Sequence, residues 1–309
     1  MQRQIALIRR ELWEHRAIYI TPLVVALIVS LFAIFGEVTV SSHNYAGEAM
    51  DLGIIGASNL SDEHRSAILN GLMVFMSLGL IVAMGIVTAI YALDALCAER
   101  KDRSILFWRS MPVTDFETVF SKLLTAILII PLVTFAAIVV TQLVVLLISS
   151  IWLVTHGANA WHLIWAAAPF IDNWSATLVF VLALPLWLSP FIGWFLFVSV
   201  ITKRWNFLIA FLPIVLLPTI EGIFFKTAIF AKGFFIRSVR IPLFPGWANF
   251  IEEMKSGKHL EIEDGISLSL WSSMDLGHFL SSPGLWIGLI VCGLFTTAAI
   301  YIRRYRDDS

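Results

Sequence analysis

The stretch LLTAILIIPLVTFAAIVVTQLVVLLISSIWLV, residues 123–154, decides the fold of this chain. It contains no Asp, Glu, Lys or Arg, and it exceeds the run of about 20 mostly apolar residues that an α-helix needs to cross a bilayer. A strand of a membrane β-barrel would show only about ten residues of alternating polarity. The stretch therefore predicts a membrane-spanning helix.

The composition of the whole chain agrees with that prediction. Of its 309 residues, 59% are hydrophobic and 14% are charged, whereas soluble domains are about 45–50% apolar and about 25% charged. The chain has too few polar residues to cover a soluble surface of its size. Cys97 and Cys292 lie next to apolar runs and predict buried or lipid-facing thiols rather than a disulfide or a metal site.

Six stretches are long and apolar enough to be spanning helices. They cover about Ala17–Gly36, Ile68–Leu93, Leu123–Val154, Ala176–Ile201, Asn206–Phe225 and Pro283–Ile302. The expected fold class is an all-α polytopic membrane protein with six transmembrane helices. Prolines such as Pro185 and Pro190 predict kinks within these helices, because proline removes a hydrogen bond of the helix.

Lysine and arginine are distributed unevenly between the connecting segments. They are frequent before the first stretch, between the second and third, between the fourth and fifth, and after the sixth, whereas residues 155–175 contain none. Cytoplasmic segments are enriched in Lys and Arg. The pattern predicts a multi-pass protein of the bacterial plasma (inner) membrane with both termini in the cytoplasm. Residues 226–282 carry both bases and acids and are expected to form an extracytoplasmic or re-entrant segment.

Residues 1–16 predict an amphipathic helix ahead of spans one to five, which occupy residues 17–225. One face is an apolar stripe of Ile5, Ile8 and Leu12. The opposite face is charged and carries Arg3, Arg10 and Glu14. Such a helix lies at the cytoplasmic interface, with its arginines, Arg9 and Arg10 among them, toward anionic headgroups. The pattern fits a membrane anchor and a docking element equally well.

The connection between the second and third spans, residues 94–122, reads DALCAERKDRSILFWRSMPVTDFETVFSK. A charged turn leads into a short helix with bulky apolar residues, which Pro112 ends. Thr114 then predicts an N-cap, and Glu117 completes a capping box that begins the next helix. Aromatic and cationic side chains on a short helix between two spans are typical of docking to a cytoplasmic partner, although a solvated turn would also fit.

This segment resembles the permeases of the type-2 ATP-binding-cassette (ABC) exporter family. Glu99-Arg100 ends the second span, and Met111-Pro112-Val113-Thr114 and Lys122 precede the third. The family pattern is Glu-Arg, a short helix, leucine-Pro-hydrophobic-Ser/Thr and a lysine. The N-terminal helix, the six spans and the enlarged segment before the last span also match. The chain departs from the family pattern in two places. Asp102-Arg103-Ser104 replaces the usual Gly-Thr, and the last extracytoplasmic segment is longer than the shortest such segment in the family.

The resemblance implies the transmembrane subunit of an ATP-driven exporter, in which two permease chains pair and two separate ATPase subunits bind beneath them. The loop between the second and third spans would be the coupling helix that enters a cleft of the ATPase. The residues expected to couple are Glu99, Arg100, Arg103, Phe107, Trp108, Arg109 and Pro112. Arg9 and Arg10 are expected to hold the interface helix, and residues 283–309 form the last span and a cytoplasmic tail.

The chain contains no G-x-x-x-x-G-K-[ST] phosphate loop, so ATP hydrolysis is expected on the separate subunit. We therefore expect no catalytic residue, metal site or cofactor in this chain, Mg-ATP being bound by the partner. Lipids are the other expected partners, and nucleic acid is not. Glu221, in the fifth span, is either an interfacial partner of Lys226 or part of the translocation path or its gate.

Two other classes of function stay open at this point. An ATP-independent membrane transporter or scaffold would share the six spans, but secondary transporters usually show inverted repeats and midplane charges, which this sequence lacks. An intramembrane hydrolase is suggested by Glu252-Glu253 followed by His259, although these residues lie in a polar loop. The sequence names neither the transported substrate nor whether the permease pair is a homodimer or a heterodimer.

Overall fold

The computed structural model of the chain describes residues 2–42, 60–101, 114–202, 205–244 and 270–305. Within these ranges the regular secondary structure is helical throughout, which confirms the all-α class for them. The helices, numbered in chain order, are α1 Gln2–Glu14, α2 Ala17–Ser42, α3 Asp62–Lys101, α4 Asp115–Thr155, α5 Phe170–Trp187, α6 Ser189–Ile201, α7 Asn206–Ile220, α8 Ile229–Val239, α9 Leu270–Ser273, α10 Leu276–Ser281 and α11 Pro283–Tyr305.

Five helices are long and apolar enough to cross a membrane: α3, α4, α5, α11, and α7 with its π-helical extension to Phe225. A sixth span results if α1 and α2, which meet at 55°, are counted as one bent span. The chain is thus a multi-pass membrane protein. The count of six, the interfacial position of α1, the kind of membrane and the side of the termini stay predictions.

The fourth predicted span differs from the expectation of a single kinked helix. It begins at Phe170 rather than at Ala176, and it is divided at Leu188 into α5 and α6. Pro190 has no amide hydrogen to continue the helical ladder. The next amide, of Phe191, bonds to the Leu188 carbonyl oxygen at 3.0 Å and starts a new helix.

The start of α4 is encoded locally, as the sequence predicts. Thr114 Oγ1 accepts a hydrogen bond from the Glu117 amide (3.1 Å), and Glu117 Oε2 accepts one from the Thr114 amide (2.9 Å). The predicted capping box is confirmed. Further along, a π-helical turn at Thr125–Ile129 precedes Pro131, which fits the missing amide hydrogen of that proline.

The main apolar core lies between α3, α4, α6 and α11. Its buried side chains include Leu80, Met84, Leu96, Ile130, Ile138, Leu196 and Ala299. α6 and α11 approach each other closely at Gly193, where an added Cβ would lie 2.9 Å from Cys292 Cα. Cys97 and Cys292 are buried free thiols, as predicted.

A buried polar network joins α3, α4 and α5 in the half of the bundle that holds their Asp62, Thr155 and Phe170 ends. Gln142 Nε2 donates to the Met73 carbonyl oxygen (2.9 Å) and to Ser77 Oγ (3.1 Å). Trp174 Nε1 donates to Gln142 Oε1 (2.7 Å). Such bonds between membrane helices fix their relative positions, and they satisfy the one polar amide that the sequence places within α4.

Candidate functional site

A group of charged side chains is buried at one end of the bundle, which we call the base. There α1 meets the C-terminal ends of α3 and α11 and the N-terminal end of α4. The charged cluster consists of Arg10, Glu11, Glu99, Asp115, Lys122 and Arg303. Each of the four helices contributes at least one of these residues.

Lys122 lies at the centre of the charged cluster and is fully buried. Its Nζ is 2.8 Å from Glu11 Oε1 and 3.2 Å from Glu99 Oε1. Both carboxylates are also buried, at 1% and 3% exposure. Tyr91 Oη donates a hydrogen bond of 2.8 Å to Glu11 Oε2. The ammonium group therefore joins α1 and α3 to the first turns of α4.

Two arginines complete the cluster around Glu99. Arg303 Nη1 donates to Glu99 Oε2 (2.6 Å), and its Nε donates to Asp115 Oδ1 (2.9 Å). Arg10 Nη2 donates to Glu99 Oε1 (3.2 Å), and its Nε donates to Glu14 Oε1 (2.7 Å). Glu99 thus contacts cations from α1, α4 and α11 at once.

The energetics of this arrangement favour one fixed geometry. Glu11, Glu99, Lys122 and Arg303 supply two negative and two positive charges away from water, so their charges balance. Desolvation offsets much of the attraction in such pairs, but removing one partner costs about 3–5 kcal/mol because the other charge is left buried. The four helix ends are consequently held in one arrangement at the base.

The charged cluster holds both ends of the connection between α3 and α4. Glu99 lies in the last turn of α3, and Asp115 and Lys122 lie in the first turns of α4. Residues 102–113 between them lie outside the described residues. A force applied to this connection would act first on α3 and α4 and, through the cluster, on α1 and α11.

The residues predicted to couple to an ATPase, and the arginines predicted to hold the interface helix, divide into two groups. Glu99 and Arg10 lie in the charged cluster, and Arg9 is exposed, with its guanidinium carbon 5.8 Å from the centroid of the Trp13 ring. The side chain of Arg100 lies outside the described residues. The same holds for the whole of Arg103, Phe107, Trp108, Arg109 and Pro112.

The orientation of α1 explains why sequence patterning did not reveal Glu11. The helix turns Leu7 and Glu11 into the bundle, whereas Ile5 and Trp13 are 64% and 72% exposed. The predicted apolar stripe, which contains Ile5, therefore does not form the buried face. Residues four apart lie on the same face of a helix. The spacing of Leu7 and Glu11 is therefore the one local signal that a charge lies on the buried face.

The other residues of the cluster have weaker signals in the sequence. Arg303 contributes only to the Lys/Arg pattern, Lys122 only to that pattern and to the family resemblance, and Asp115 is not singled out at all. Neither is Tyr91, which bonds to the cluster through Glu11. Glu11, Glu14 and His15 are close enough to share a metal ion. Glu11 is paired with Lys122 and Glu14 with Arg10, so this trio fits ion pairing better than metal binding.

Glu221 has a role that neither sequence hypothesis included. Its carboxylate accepts hydrogen bonds from Thr227 Oγ1 (2.8 Å) and from the amides of Ile229 (2.6 Å) and Phe230 (2.9 Å). These are the first amides of α8, where a negative charge is favourable. Glu221 therefore fixes the start of α8. Glu252, Glu253 and His259 lie outside the described residues.

Comparison of the chain with protein-family models, with curated proteins and with solved structures finds no match. Function is therefore inferred from the residues and from their geometry.

Proposed function

We propose that the chain is the transmembrane subunit of an ATP-driven ABC exporter of the type-2 class. Two copies would form the translocation path, and two separate ATPase subunits would bind beneath them in the cytoplasm of a bacterium. The proposal is supported above all by the charged cluster, which ties both ends of the connection 102–113 to α1 and α11. A coupling segment needs such an attachment, because a loop with free ends would absorb the movement of the ATPase.

The proposed mechanism follows from that attachment. Closure of the ATPases on ATP would push on residues 99–114, where Phe107, Trp108 and Arg109 would contact the ATPase surface. The ion pairs of Glu99 with Lys122 and with Arg303 would pass the displacement to α4 and α11. The spanning helices would then tilt and open a path between the two copies.

Exposed side chains around the base support its assignment to the cytoplasmic membrane interface. Aromatic residues with large exposed areas occur there on three different helices, namely Trp13, Phe116, Phe120, Tyr301 and Tyr305. Aromatic side chains are enriched at the level of lipid headgroups. The Lys/Arg pattern of the sequence assigns this side to the cytoplasm, and with it both termini and residues 102–113.

The second copy would cover α7. Only 6% of the most apolar stretch of this span is buried, against 28–39% in the other four spans. The same exposed element ends in Glu221 and Lys226, where a charge facing lipid costs less than the roughly 2.5–3.5 kcal/mol of the bilayer centre. A protein surface or a water-filled path beside α7 avoids that cost.

Native mass spectrometry of the complex, purified in mild detergent through a tag on this chain, tests the proposal. We expect two copies of this chain and two copies of a nucleotide-binding chain, and ATP hydrolysis in the purified complex. A chain that transports as a single copy, or without any ATPase, would contradict it.

Labelling tests the topology: a cysteine at Lys255 should react from outside sealed cells, and reaction only from the cytoplasmic side would contradict the assignment.

A further inference from the structure

Arg237, on α8, bonds to the backbone at the break between α5 and α6. In an unbroken helix the Trp187 carbonyl oxygen would accept from the amide of Phe191, but that amide bonds to Leu188 instead. Arg237 Nη2 donates to the Trp187 oxygen at 2.7 Å. In return, Trp187 Nε1 donates to the Arg237 carbonyl oxygen at 2.8 Å. The guanidinium thus replaces a hydrogen bond that the break removes from the helix.

The same guanidinium occupies a notch in α11 made by two glycines. Arg237 Nη1 donates to the Gly284 carbonyl oxygen at 2.6 Å, and an added Cβ at Gly288 would overlap Nη2. The ring of Trp187 closes the notch, with 4.3 Å between its centroid and the guanidinium carbon. A glycine pair at this spacing usually lets two membrane helices approach each other. Here it receives an arginine.

The partners of Arg237 among the described residues are neutral. Among the described residues no carboxylate pairs with it, and its buried Nε has no hydrogen-bond partner. Burial lowers the pKa of its guanidinium from the ordinary value. Two carbonyl oxygens and an indole face therefore hold a charge that water would also solvate well.

The helix that carries Arg237 is attached at both ends, by the bonds of Glu221 to its first amides and by Leu243, which follows it and is buried in one apolar cluster with Trp187 and Leu285. Phe234 packs on Phe191 of α6, with ring centroids 5.2 Å apart, while Ile229 and Ile236 are exposed. The turn before α8 contains Lys226 in the left-handed region (φ 51°). Between these two attachments, Arg237 fastens α8 to the break between α5 and α6 and to the N-terminal end of α11.

We propose that Arg237 is a conformational latch, which closes the extracytoplasmic end of the chain while its guanidinium occupies the notch of Gly284, Gly288 and Trp187. When the guanidinium leaves, α8 separates from α5, α6 and α11, and the break at Leu188 becomes accessible from outside. That the latch opens during transport rests on the proposed function. That the break faces the outside rests on the proposed topology, whereas the contacts by which the guanidinium closes it do not.

Ser189 offers a reporter for the state of the latch. It begins α6 beside the break, is fully buried, and its hydroxyl has no hydrogen-bond partner, so cysteine is a small change there. In a full-length chain with Ser189→Cys, Cys97→Ala and Cys292→Ala, we would measure the rate of reaction with a membrane-impermeant maleimide added outside intact cells. The parent chain should react slowly.

Arg237→Gln and Gly288→Ala should each displace the guanidinium from the notch. The rate of maleimide labelling at Ser189→Cys should then rise roughly tenfold or more, because that rate is proportional to the fraction of open molecules and each variant should raise this fraction by about a factor of ten. Gly293→Ala, on the same helix with open space around it, should keep the parent rate. Arg237→Lys retains the charge but not the fork that serves two carbonyls, so an intermediate rate is expected. If Arg237→Gln does not fold, Arg237→Lys serves as the test variant in its place.

Parent rates in both Gly288→Ala and the Arg237 variants, in intact and in permeabilised cells alike, would overturn the latch, whatever the effect of ATP. A second comparison, between energised and ATP-depleted cells carrying the parent chain, concerns its use. Faster labelling in energised cells supports opening of the latch during transport. Fast labelling of the variants without any effect of ATP leaves the latch in place and counts against the ATP-driven function.

Discussion

Glu99 and Lys122 are ion-paired, with 3.2 Å between Oε1 and Nζ, although residues 100–121 separate them in the chain. Glu99 also pairs with Arg303, and Lys122 with Glu11. The pair therefore closes a loop whose two ends cannot move independently of each other or of α1 and α11. This relationship makes the base of the bundle a single mechanical unit.

Lys122→Met should destabilise the protein by about 3–5 kcal/mol, because Glu11 and Glu99 would be left buried without their shared cation. Thermal unfolding in detergent measures the change. Glu14→Gln is the matched control, since Glu14 is 43% exposed and pairs with Arg10 one helical turn away, a contact worth about 0.5 kcal/mol or less.

Adding Glu11→Gln to Lys122→Met should restore part of the loss, because only Glu99 then keeps a charge that Lys122 neutralised. Equal unfolding temperatures for Lys122→Met and Glu14→Gln would show that the buried pairs do not hold the base together.

The sequence predicts those features of the fold that depend on neighbouring residues. The capping box of Thr114 and Glu117 is confirmed because its partners are three residues apart. The limits of the fifth stretch, Asn206–Phe225, agree with the structure because they follow from local hydropathy. Helix-forming and apolar patterns act over a few turns, and a single sequence contains that information.

The charged cluster was mostly missed because its contacts are long-range. Glu11 and Lys122 are 111 positions apart, and Glu99 and Arg303 are 204 apart. A single sequence shows charges near the ends of spans but not which of them meet. Arg303 therefore served only to orient the chain. Glu221 was singled out as a charge within an apolar stretch, and its pairing with Lys226 and its place in the translocation path both stay predictions. The bonds of its carboxylate to the first amides of α8 were not foreseen.

Gly193→Ala should weaken the contact between α6 and α11. The added Cβ would meet the Cys292 main chain at 2.9 Å and 3.1 Å, and backbone atoms cannot turn aside as a side chain can. Overpacking of this kind costs about 1–3 kcal/mol, which thermal unfolding would detect.

Gly293→Ala is the matched control for that change. It lies one residue beyond Cys292 and meets no atom within 4 Å. Alanine is favoured over glycine inside a helix by about 0.5–1 kcal/mol, so this variant should be neutral or slightly more stable. Equal loss of stability in both variants would mean that the close approach at Gly193 is unimportant.

Cysteines on α7 should form disulfides between two copies of the chain. In a background without Cys97 and Cys292, we expect oxidative cross-linking from at least one of Val215, Leu216 and Phe224, all of them exposed apolar residues. Leu294→Cys on α11, also exposed, should stay monomeric on a denaturing gel. A disulfide needs Cα atoms closer than about 7 Å, so cross-linking from Leu294 but from no α7 position would assign the pairing to another face.

The triple change Phe107/Trp108/Arg109→Ala should separate ATP hydrolysis from transport while the chain stays folded in the membrane. These side chains are the bulkiest candidates for anchoring in an ATPase cleft, and truncating such an anchor costs about 2 kcal/mol or more. That loss corresponds to a roughly thirtyfold weaker affinity. The variant should keep its yield and unfolding temperature, because the charged cluster that holds both ends of the connection is unchanged. It should lose ATPase subunits during purification.

The control for the triple change removes aromatic surface at the same end of the molecule but outside the connection. Phe116 and Phe120 are exposed and stacked on α4, with ring centroids 5.7 Å apart, and their replacement by alanine should leave ATPase retention unchanged. Full subunit retention together with full transport in the triple variant would exclude residues 107–109 as the coupling contact. Residues 203–204, between α6 and α7, would then be the next segment to test, because Lys203 and Arg204 also place cations at the end of a span.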